Sequence, residues 1–352
     1  MNLLWNKRKV WKPIEDEVQK NLKKIELLAV GDIQAAYVKS LEFQFKHALS
    51  VKEAYFEVYT SILKVLHGDR AILSSSTSKK FTEQDYVIKV WSRIFSAVFD
   101  DRSNNMFCVW GDYVPKESSM YKALDADSSN AIGDRIDLRV CHTSPGGEVV
   151  DLLCVEFAKD ANDDKYFMDH RKVLREAKVN IDRFHRNRYL KPHQKRIISG
   201  YCIQISGTEG TISRVRLVDK GLYVANHVGS LRLPSSGADL RKTRTLLERL
   251  FTLKDNLLSQ REHFDAMEHE RIAQKKSLEA KQNKTRSPYE NNFNSNSSDS
   301  SLRLPYSEKY TSWVRASWFP PSVKKDFTYQ GVRSKYLFSP PLPFDTSPSW
   351  QH

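Results

Sequence analysis

Residues 133–159 read GDRIDLRVCHTSPGGEVVDLLCVEFAK. Residues 136–142 alternate between apolar and polar side chains, which is the pattern of a half-buried β-strand. Residues 144–147, SPGG, have the composition of a tight turn, and residues 149–158 are apolar enough for a more deeply buried strand. This stretch therefore predicts a β-hairpin that carries acidic side chains on both strands.

Helical patterns surround the predicted hairpin. Apolar residues recur at helical spacing over residues 13–70. Thr82 and Asp85 resemble a capping box at the start of another helix, whose apolar face continues to about residue 99. A helix with one apolar and one cationic face follows the hairpin over residues 167–184.

Further β-branched runs complete the predicted sheet. They lie at residues 106–110, 197–205, 212–218 and 222–224, the last with a continuation towards residue 233. With the helices they predict an α/β (α+β) fold, in which helices flank a mixed sheet.

Leucines at 4-3-4 spacing across residues 238–281 predict either a long helix that caps the core or a short coiled coil. Polar Gln260 interrupts this seam, so we expect a docked first half and an exposed second half. Composition then divides the chain into a helical N-terminal region (1–80), an α/β core (81–237), the long helix (238–281) and a tail (282–352). The tail is basic and rich in Pro and aromatic residues, and its NNFNSNSSDSS tract predicts disorder.

Composition limits the class of protein. The chain has 352 residues, 40% of them hydrophobic, which excludes a wholly disordered protein. Its 56 Lys and Arg exceed its 43 Asp and Glu, and the net charge of +13 favours polyanionic partners. Four widely spaced cysteines argue against a disulfide framework or a zinc site. Without a signal-peptide core or an apolar run of about 18 residues, we expect an intracellular protein that does not enter a membrane, in the nucleus or the cytoplasm.

Asp137 and Glu156 are the residues of the hairpin that suggest chemistry. Paired strands can place two such carboxylates on one face, and carboxylate oxygens are preferred ligands of Mg²⁺ and Mn²⁺. A nearby lysine would position or deprotonate an attacking water. A metal site, the inactive relic of one, and an ordinary buried ion pair all remain open; Arg135 and Arg139 are the candidate partners of Asp137 in the last case.

The order of an Asp, a spacer, a Glu and a Lys on a hairpin resembles the restriction-endonuclease-like PD-(D/E)XK superfamily over about residues 82–225. VEFAK (155–159) and DHRKVLREAK (169–178) are similar to fungal members of that superfamily. The resemblance implies a nuclease with Asp137 and Glu156 as metal ligands and Lys159 as the base that positions water.

The same resemblance implies two further groups. An acidic residue on the preceding helix would be Glu83, and a polar residue on the following helix would be Lys172 or Arg175. The spacing of Lys159 departs from the superfamily, which places one residue between the acid and the lysine. Here two residues intervene, so Lys159 should point away from Glu156 unless the strand ends or bulges at Ala158.

A basic cluster follows the hairpin. Residues 183–196 read RFHRNRYLKPHQKR, with six Lys or Arg and no acid. This cluster and the cationic helix face before it predict contacts with phosphates, and a solvated loop is the alternative. The predicted nucleic-acid-binding residues are Arg175, Lys178, Arg183, Arg186, Arg188, Lys191, Lys195 and Arg196.

These patterns favour a nuclease-like protein that uses Mg²⁺ or Mn²⁺ to cleave DNA or RNA phosphodiesters. The main alternative is an inactive nucleic-acid-binding module of the same fold, which the offset of Lys159 favours. A third is a protein-interaction module that self-associates through residues 240–270. The chain lacks the GxSxG, Walker A and GxGxxG motifs and the kinase signature set.

Overall fold

A computed structural model describes residues 11–74, 80–126, 132–161, 164–186 and 198–285. In these residues six strands form one sheet in the order β1-β2-β3-β4-β5-β6. They are β1 (Met106–Tyr113), β2 (Ile136–Thr143), β3 (Val149–Ala158), β4 (Gly200–Ser206), β5 (Glu209–Asp219) and β6 (Leu222–Arg232). Strands β3 and β4 run parallel, and the other neighbouring pairs are antiparallel.

Helices lie on both faces of this sheet. They are α1 (Asp16–Gly31), α2 (Ile33–Lys46), α3 (Glu53–Gly68), α4 (Glu83–Tyr86), α5 (Ser92–Phe99), α6 (Lys116–Ala126), α7 (Asp164–Arg186) and α8 (Arg241–Thr285). A π-helical turn, Val87–Trp91, joins α4 to α5. The predicted α+β class, with a mixed sheet, flanking helices and a long C-terminal helix, is confirmed. None of the described helices is long and apolar enough to cross a membrane.

The two faces of the sheet bury different apolar clusters. On one face α7 covers a small cluster that includes Cys154, Ala177 and Val215. On the other face α1, α3, α5 and α8 share a large core with the sheet. Phe95 of α5 packs edge-on against Phe157 of β3, with ring centroids 6.1 Å apart. The aromatic residues of the helical segment from α4 to α5 pack in the core, since Tyr86, Trp91, Phe95 and Phe99 are all buried.

Helix α7 lies unusually close to β4. A Cβ atom at Gly200, the first residue of β4, would lie 2.1 Å from the carbonyl oxygen of Ala177. Only a glycine tolerates that approach, because real Cβ atoms do not come within about 3 Å of a backbone oxygen. The helix that connects the two parallel strands is therefore held firmly on the sheet.

Helix α8 docks over most of its length. Its apolar residues pack into the chain's own core, and the buried ones include Leu246, Leu247, Leu250, Leu253, Leu257, Phe264 and Met267. Gln260 accepts a hydrogen bond from the backbone N–H of Ser199 (3.0 Å). Residues 273–280 are exposed. The docked first half is confirmed, and the coiled-coil alternative is wrong for the leucine face, because the sheet already covers it. Self-association through residues 240–270 would have to use the opposite, polar face.

Several boundaries differ from the sequence prediction. Helix α6 was not predicted, and the helical region 13–70 breaks into separate helices at Asp32 and at residues 47–52. The capping box is confirmed: Thr82 Oγ1 accepts from the N–H of Asp85 (3.2 Å), and Asp85 Oδ2 accepts from the N–H of Thr82 (2.8 Å). The predicted disordered tail lies outside the described residues from residue 286 onwards.

Candidate functional site

Asp137 and Glu156 lie side by side on the adjacent strands β2 and β3. The backbone N–H of Asp137 donates to Glu156 Oε1 (3.3 Å), and the backbone N–H of Phe157 donates to Asp137 Oδ2 (2.9 Å). Glu156 is only 1% exposed, whereas Asp137 is half-buried at the edge of the site. The fold thus brings together the two carboxylates that the sequence singled out.

The lysine bound to Glu156 is Lys172 of α7. Its Nζ lies 2.7 Å from Glu156 Oε2 and 3.4 Å from Asp169 Oδ1. Lys159 follows the last residue of β3 and is exposed. Lys172, one of the two residues that the resemblance implies on the following helix, thus contacts Glu156. The role of Lys159 stays a prediction, and side-chain alternation along β3 turns Lys159 away from the Glu156 side.

Glu83 and Asp169 extend the acidic group. Glu83, the first residue of α4, forms an ion pair with Lys165 of α7, and Lys165 Nζ also lies 3.9 Å from Asp169 Oδ2. The charge of Asp137 raises the pKa of both Glu83 and Asp169, although burial is the larger cause. The predicted third acid, Glu83, therefore reaches the same site, and Asp169 joins it as a fourth.

Burial and mutual repulsion shift the ionisation of these groups. Burial raises the pKa of Glu156 to about 9, the charge of Asp137 acts in the same direction, and Lys172 opposes both. Burial disfavours the charged form of Lys172, but the charges of Glu156 and Asp169 outweigh it and raise the lysine pKa. Four carboxylates thus face two ammonium groups, and the excess favours the uptake of a proton or a metal cation.

Gln204 of β4 is a buried neighbour that sequence reasoning missed. It pairs in register with Glu156 across the parallel strands and is 2% exposed. Among the described residues, neither its Nε2 nor its Oε1 has a hydrogen-bond partner, and Asp169 Oδ2 is likewise buried without one. A buried amide without partners costs about 1–3 kcal/mol, so these atoms indicate a place where a ligand completes the hydrogen bonding.

The oxygen atoms of this site fit a hard divalent cation. Within the described part of the chain, no three or more His, Cys, Asp or Glu side chains are grouped as a complete metal site. Mg²⁺ does not require such a group, because it is often held by one or two carboxylates with waters and substrate phosphates. Asp137 and Glu156 supply that number of carboxylates, and the amide of Gln204 adds a neutral oxygen of the kind that such ions accept.

Three cations of α7 are paired with the chain's own carboxylates. The pairs are Arg175 with Asp134, Lys178 with Asp182 (2.7 Å), and Arg183 with Glu148 (2.8 Å) and Glu117 (3.3 Å). Of the other predicted nucleic-acid-binding residues, Arg188, Lys191, Lys195 and Arg196 and the side chain of Arg186 lie outside the described residues. The three described cations therefore serve to hold α7 in place, because partly buried charges require partners.

A buried arginine pairs with two further carboxylates beneath α7. Arg139 of β2 is fully buried, and its guanidinium lies 2.9 Å from Asp151 Oδ2 and 3.4 Å from Glu176 Oε2. Arg139 therefore does not neutralise Asp137, and this part of the ordinary ion-pair alternative is wrong.

The spacing of charged residues in α7 indicates which of them face the acidic site. Lys165, Asp169, Lys172 and Glu176 follow one another at spacings of four, three and four, which places them on one face of a helix. That face turns towards the hairpin. Gln204 has no comparable signal, because nothing local reveals which residue of β4 lies beside Glu156.

Comparisons with models of protein families, with characterised proteins and with solved structures give no match to this chain. The site therefore has to be interpreted from its own geometry.

Proposed function

We propose that the protein is a divalent-metal-dependent phosphodiesterase of restriction-endonuclease-like type that acts on DNA or RNA. The observation that carries this proposal is Glu156, a nearly fully buried carboxylate beside Asp137 on paired strands, with the ammonium of Lys172 2.7 Å away. An acid in such a position is costly unless it has a counter-charge or a cation to bind. The combination of two acids and a lysine is what metal-assisted hydrolysis of a phosphodiester requires.

Asp137 and Glu156 would hold Mg²⁺ or Mn²⁺ in this proposal. Such a cation, when bound, neutralises charge on a phosphate and lowers the pKa of water. Lys172 would orient the attacking water or pair with a phosphate oxygen, which is the role that the sequence assigned to Lys159. Its raised pKa keeps it cationic at neutral pH, which suits charge neutralisation better than proton abstraction.

Glu83 and Lys165 would support the site from its rim. Their ion pair fixes the start of α4 against α7, and it neutralises an acid that would otherwise repel a phosphate. The amide of Gln204 would hold the cation or its water through the atoms that lack described partners.

The second candidate is a nucleic-acid-binding module that has lost catalysis. The ion pair of Lys172 with Glu156 favours it, because a lysine that neutralises the acid removes the need for a cation. Such a module would bind nucleic acid equally well in metal and in EDTA, with an affinity that falls steeply as salt is raised.

Cleavage assays distinguish the two candidates. Labelled single- and double-stranded DNA and RNA are incubated with the protein in Mg²⁺, Mn²⁺ or EDTA. We expect metal-dependent cleavage that Asp137→Asn and Glu156→Gln each abolish. Lys172→Met should slow cleavage about 10²–10⁴-fold, whereas the matched Lys159→Met variant should cleave at nearly the wild-type rate.

Two results would reject the phosphodiesterase. One is the absence of cleavage by the wild-type protein in every metal, with equal binding in EDTA. The other is cleavage that persists in Asp137→Asn, which would indicate a contaminating enzyme.

A further inference from the structure

Three arginines lie on the sheet face opposite α7. Arg214 and Arg216 belong to β5, and they share a face with Ile212, which packs in the large core, because alternate residues of a strand point the same way. Val215, between them, packs beneath α7 instead. The two arginines therefore face away from the candidate active site.

The third arginine, Arg249 of α8, lies over the same face. Its Cδ atom lies 3.7 Å from the position that a Cβ atom on Gly229 would occupy. Gly229 belongs to β6 and pairs with Ile212 of β5. Ile212 stands two residues before Arg214 on β5, so Arg249 lies over the part of the sheet that precedes Arg214. We call Arg214, Arg216 and Arg249 the arginine row.

The arginine row has no carboxylate partner among the described residues. Each member has a buried Nε atom without a hydrogen-bond partner in that part of the chain. Arg214 contacts the hydroxyl of Tyr201, a neutral group at the paired position of β4. This differs from the face beneath α7, where every described cation is paired with an acid.

Burial and neighbouring positive charges both act on the ionisation of Arg216 and Arg249. Burial lowers the pKa of Arg216, and the neighbouring charge of Arg214 lowers it further. Burial also lowers the pKa of Arg249, with a second contribution from Arg232 and an opposing one from Glu248. An anion placed among these groups would relieve a cost that the chain itself leaves uncompensated.

Neighbouring side chains add polar and aromatic contacts. Asn226 pairs with Arg214 across β5 and β6, and its buried Oδ1 also lacks a partner among the described residues. Trp11 is half-buried, and its ring lies 5.7 Å from the guanidinium carbon of Arg249. An aromatic ring beside arginines is the combination that stacks a base while phosphates are bound.

We propose that the arginine row binds phosphate groups, and that it forms a polyanion-binding surface separate from the candidate active site. Guanidinium groups bind phosphate through two parallel hydrogen bonds, which gives both affinity and orientation. The phosphates belong either to a polynucleotide strand or to a small phosphate-bearing ligand. This surface does not depend on catalysis at Glu156.

Binding of fluorescent single-stranded DNA and RNA by the full chain tests the proposal, with EDTA present and salt varied. The double variant Arg214→Gln/Arg216→Gln should bind at least about tenfold more weakly, and the slope of log affinity against log salt should become shallower by about 1.4, since each lost phosphate contact removes about 0.7. The matched double variant Arg70→Gln/Arg93→Gln removes the same charge from exposed positions elsewhere and should bind nearly as the wild type does. Because EDTA is present, binding at this surface is measured apart from metal-dependent cleavage by the phosphodiesterase.

Thermal unfolding distinguishes the source of the phosphate. Inorganic pyrophosphate should raise the Tm of the wild-type protein above that in chloride at equal ionic strength, and the double variant should lose this rise. A rise in Tm without oligonucleotide binding would identify a small phosphate-bearing ligand. If the wild type shows neither effect, or if the double variant retains both, the proposal is overturned. If the glutamine variants do not fold, the same measurements use Arg214→Lys/Arg216→Lys, which keeps the charge.

Discussion

The proton on Glu156 couples the stability of the protein to pH. Its pKa is about 9 in the folded chain and near 4.5 in the unfolded one, so the folded state binds the extra proton between these values. The free energy of unfolding therefore falls as pH rises through this window. We expect wild-type stability to fall relative to Glu156→Gln by at most about 1.4 kcal/mol per pH unit, which urea unfolding in EDTA at about pH 6 and pH 8.5 measures.

Two controls accompany this measurement. Glu262→Gln, on an exposed part of α8, should follow the wild type at both pH values. Mg²⁺ should stabilise the wild type more at the higher pH, because a metal binds the carboxylate and releases the proton. Equal pH dependence in the wild type and in Glu156→Gln would mean that Glu156 is ionised throughout.

The amide of Gln204 is expected to lower the stability of the protein and to contribute to cation binding. Its amide is buried without described partners, and methionine has a similar shape without the polar atoms. Gln204→Met should raise the free energy of unfolding in EDTA by about 1 kcal/mol, because an unsatisfied polar group is removed. The same variant should show a smaller rise in Tm on addition of Mn²⁺ than the wild type does. A clear loss of stability in EDTA would show instead that the amide has a structural role.

The sequence could predict the acids of the site but not which lysine serves them. Asp137 and Glu156 are recognisable because each is an acid within a predicted strand and a tight turn pairs the two strands. Lys159 is closer in sequence, yet the lysine whose Nζ lies 2.7 Å from Glu156 is Lys172, since the helix after the hairpin folds back over β3. Gln204 depends on the parallel pairing of strands that are distant in sequence, so no local pattern predicts it.

Among the elements, α7 sets the geometry of the candidate site, because it carries Lys172 and Asp169. Gly200→Ala should displace this helix, since the added Cβ would overlap the carbonyl oxygen of Ala177. We expect a loss of several kcal/mol in the free energy of unfolding, or a shifted helix with metal binding impaired. Gly68→Ala is the matched control, because nothing lies within 4 Å of a Cβ there, and it should be nearly neutral. Calorimetry measures the Tm of the two variants. Equal Tm values would contradict the close contact between Gly200 and α7.

The strands were more predictable than the short helices. The bounds of β3 agree with the sequence pattern, since most of its residues are apolar and a turn precedes it. Helix α6, KESSMYKALDA, was missed because it has no clear apolar stripe and lies mostly against α7. Its Ser118 donates to Glu176, a contact that only the tertiary structure creates.

At the scale of the whole molecule, α8 ties the N-terminal helices to the hairpin between β2 and β3. Beyond Gln260 it still buries Phe264 and Met267, and Asp265 contacts His142 at 2.8 Å. A chain that ends at Gln260 should lose about 3–6 kcal/mol of stability, given about 1.5–3 kcal/mol for each buried side chain. In a chain that ends at Gln274, the described side chains that are lost, those of residues 275–280, are exposed, so its Tm should stay within a few degrees of the wild-type value. Thermal unfolding of the two truncations tests this, and equal losses would contradict the docking described for residues 261–268.

The parallel pairing of β3 and β4 has a consequence for how the molecule folds. Leu153 pairs with Tyr201, 48 positions later (201 − 153), whereas the antiparallel pairs β4-β5 and β5-β6 are joined by short turns. Contacts between distant positions carry the larger loop-closure entropy, so they are expected to limit the folding rate. Lys172 and Gln204 lie on the segments that this step brings together. A nascent chain would therefore complete its hairpins before it gains the carboxylate site, and cation binding would report the last stage of folding.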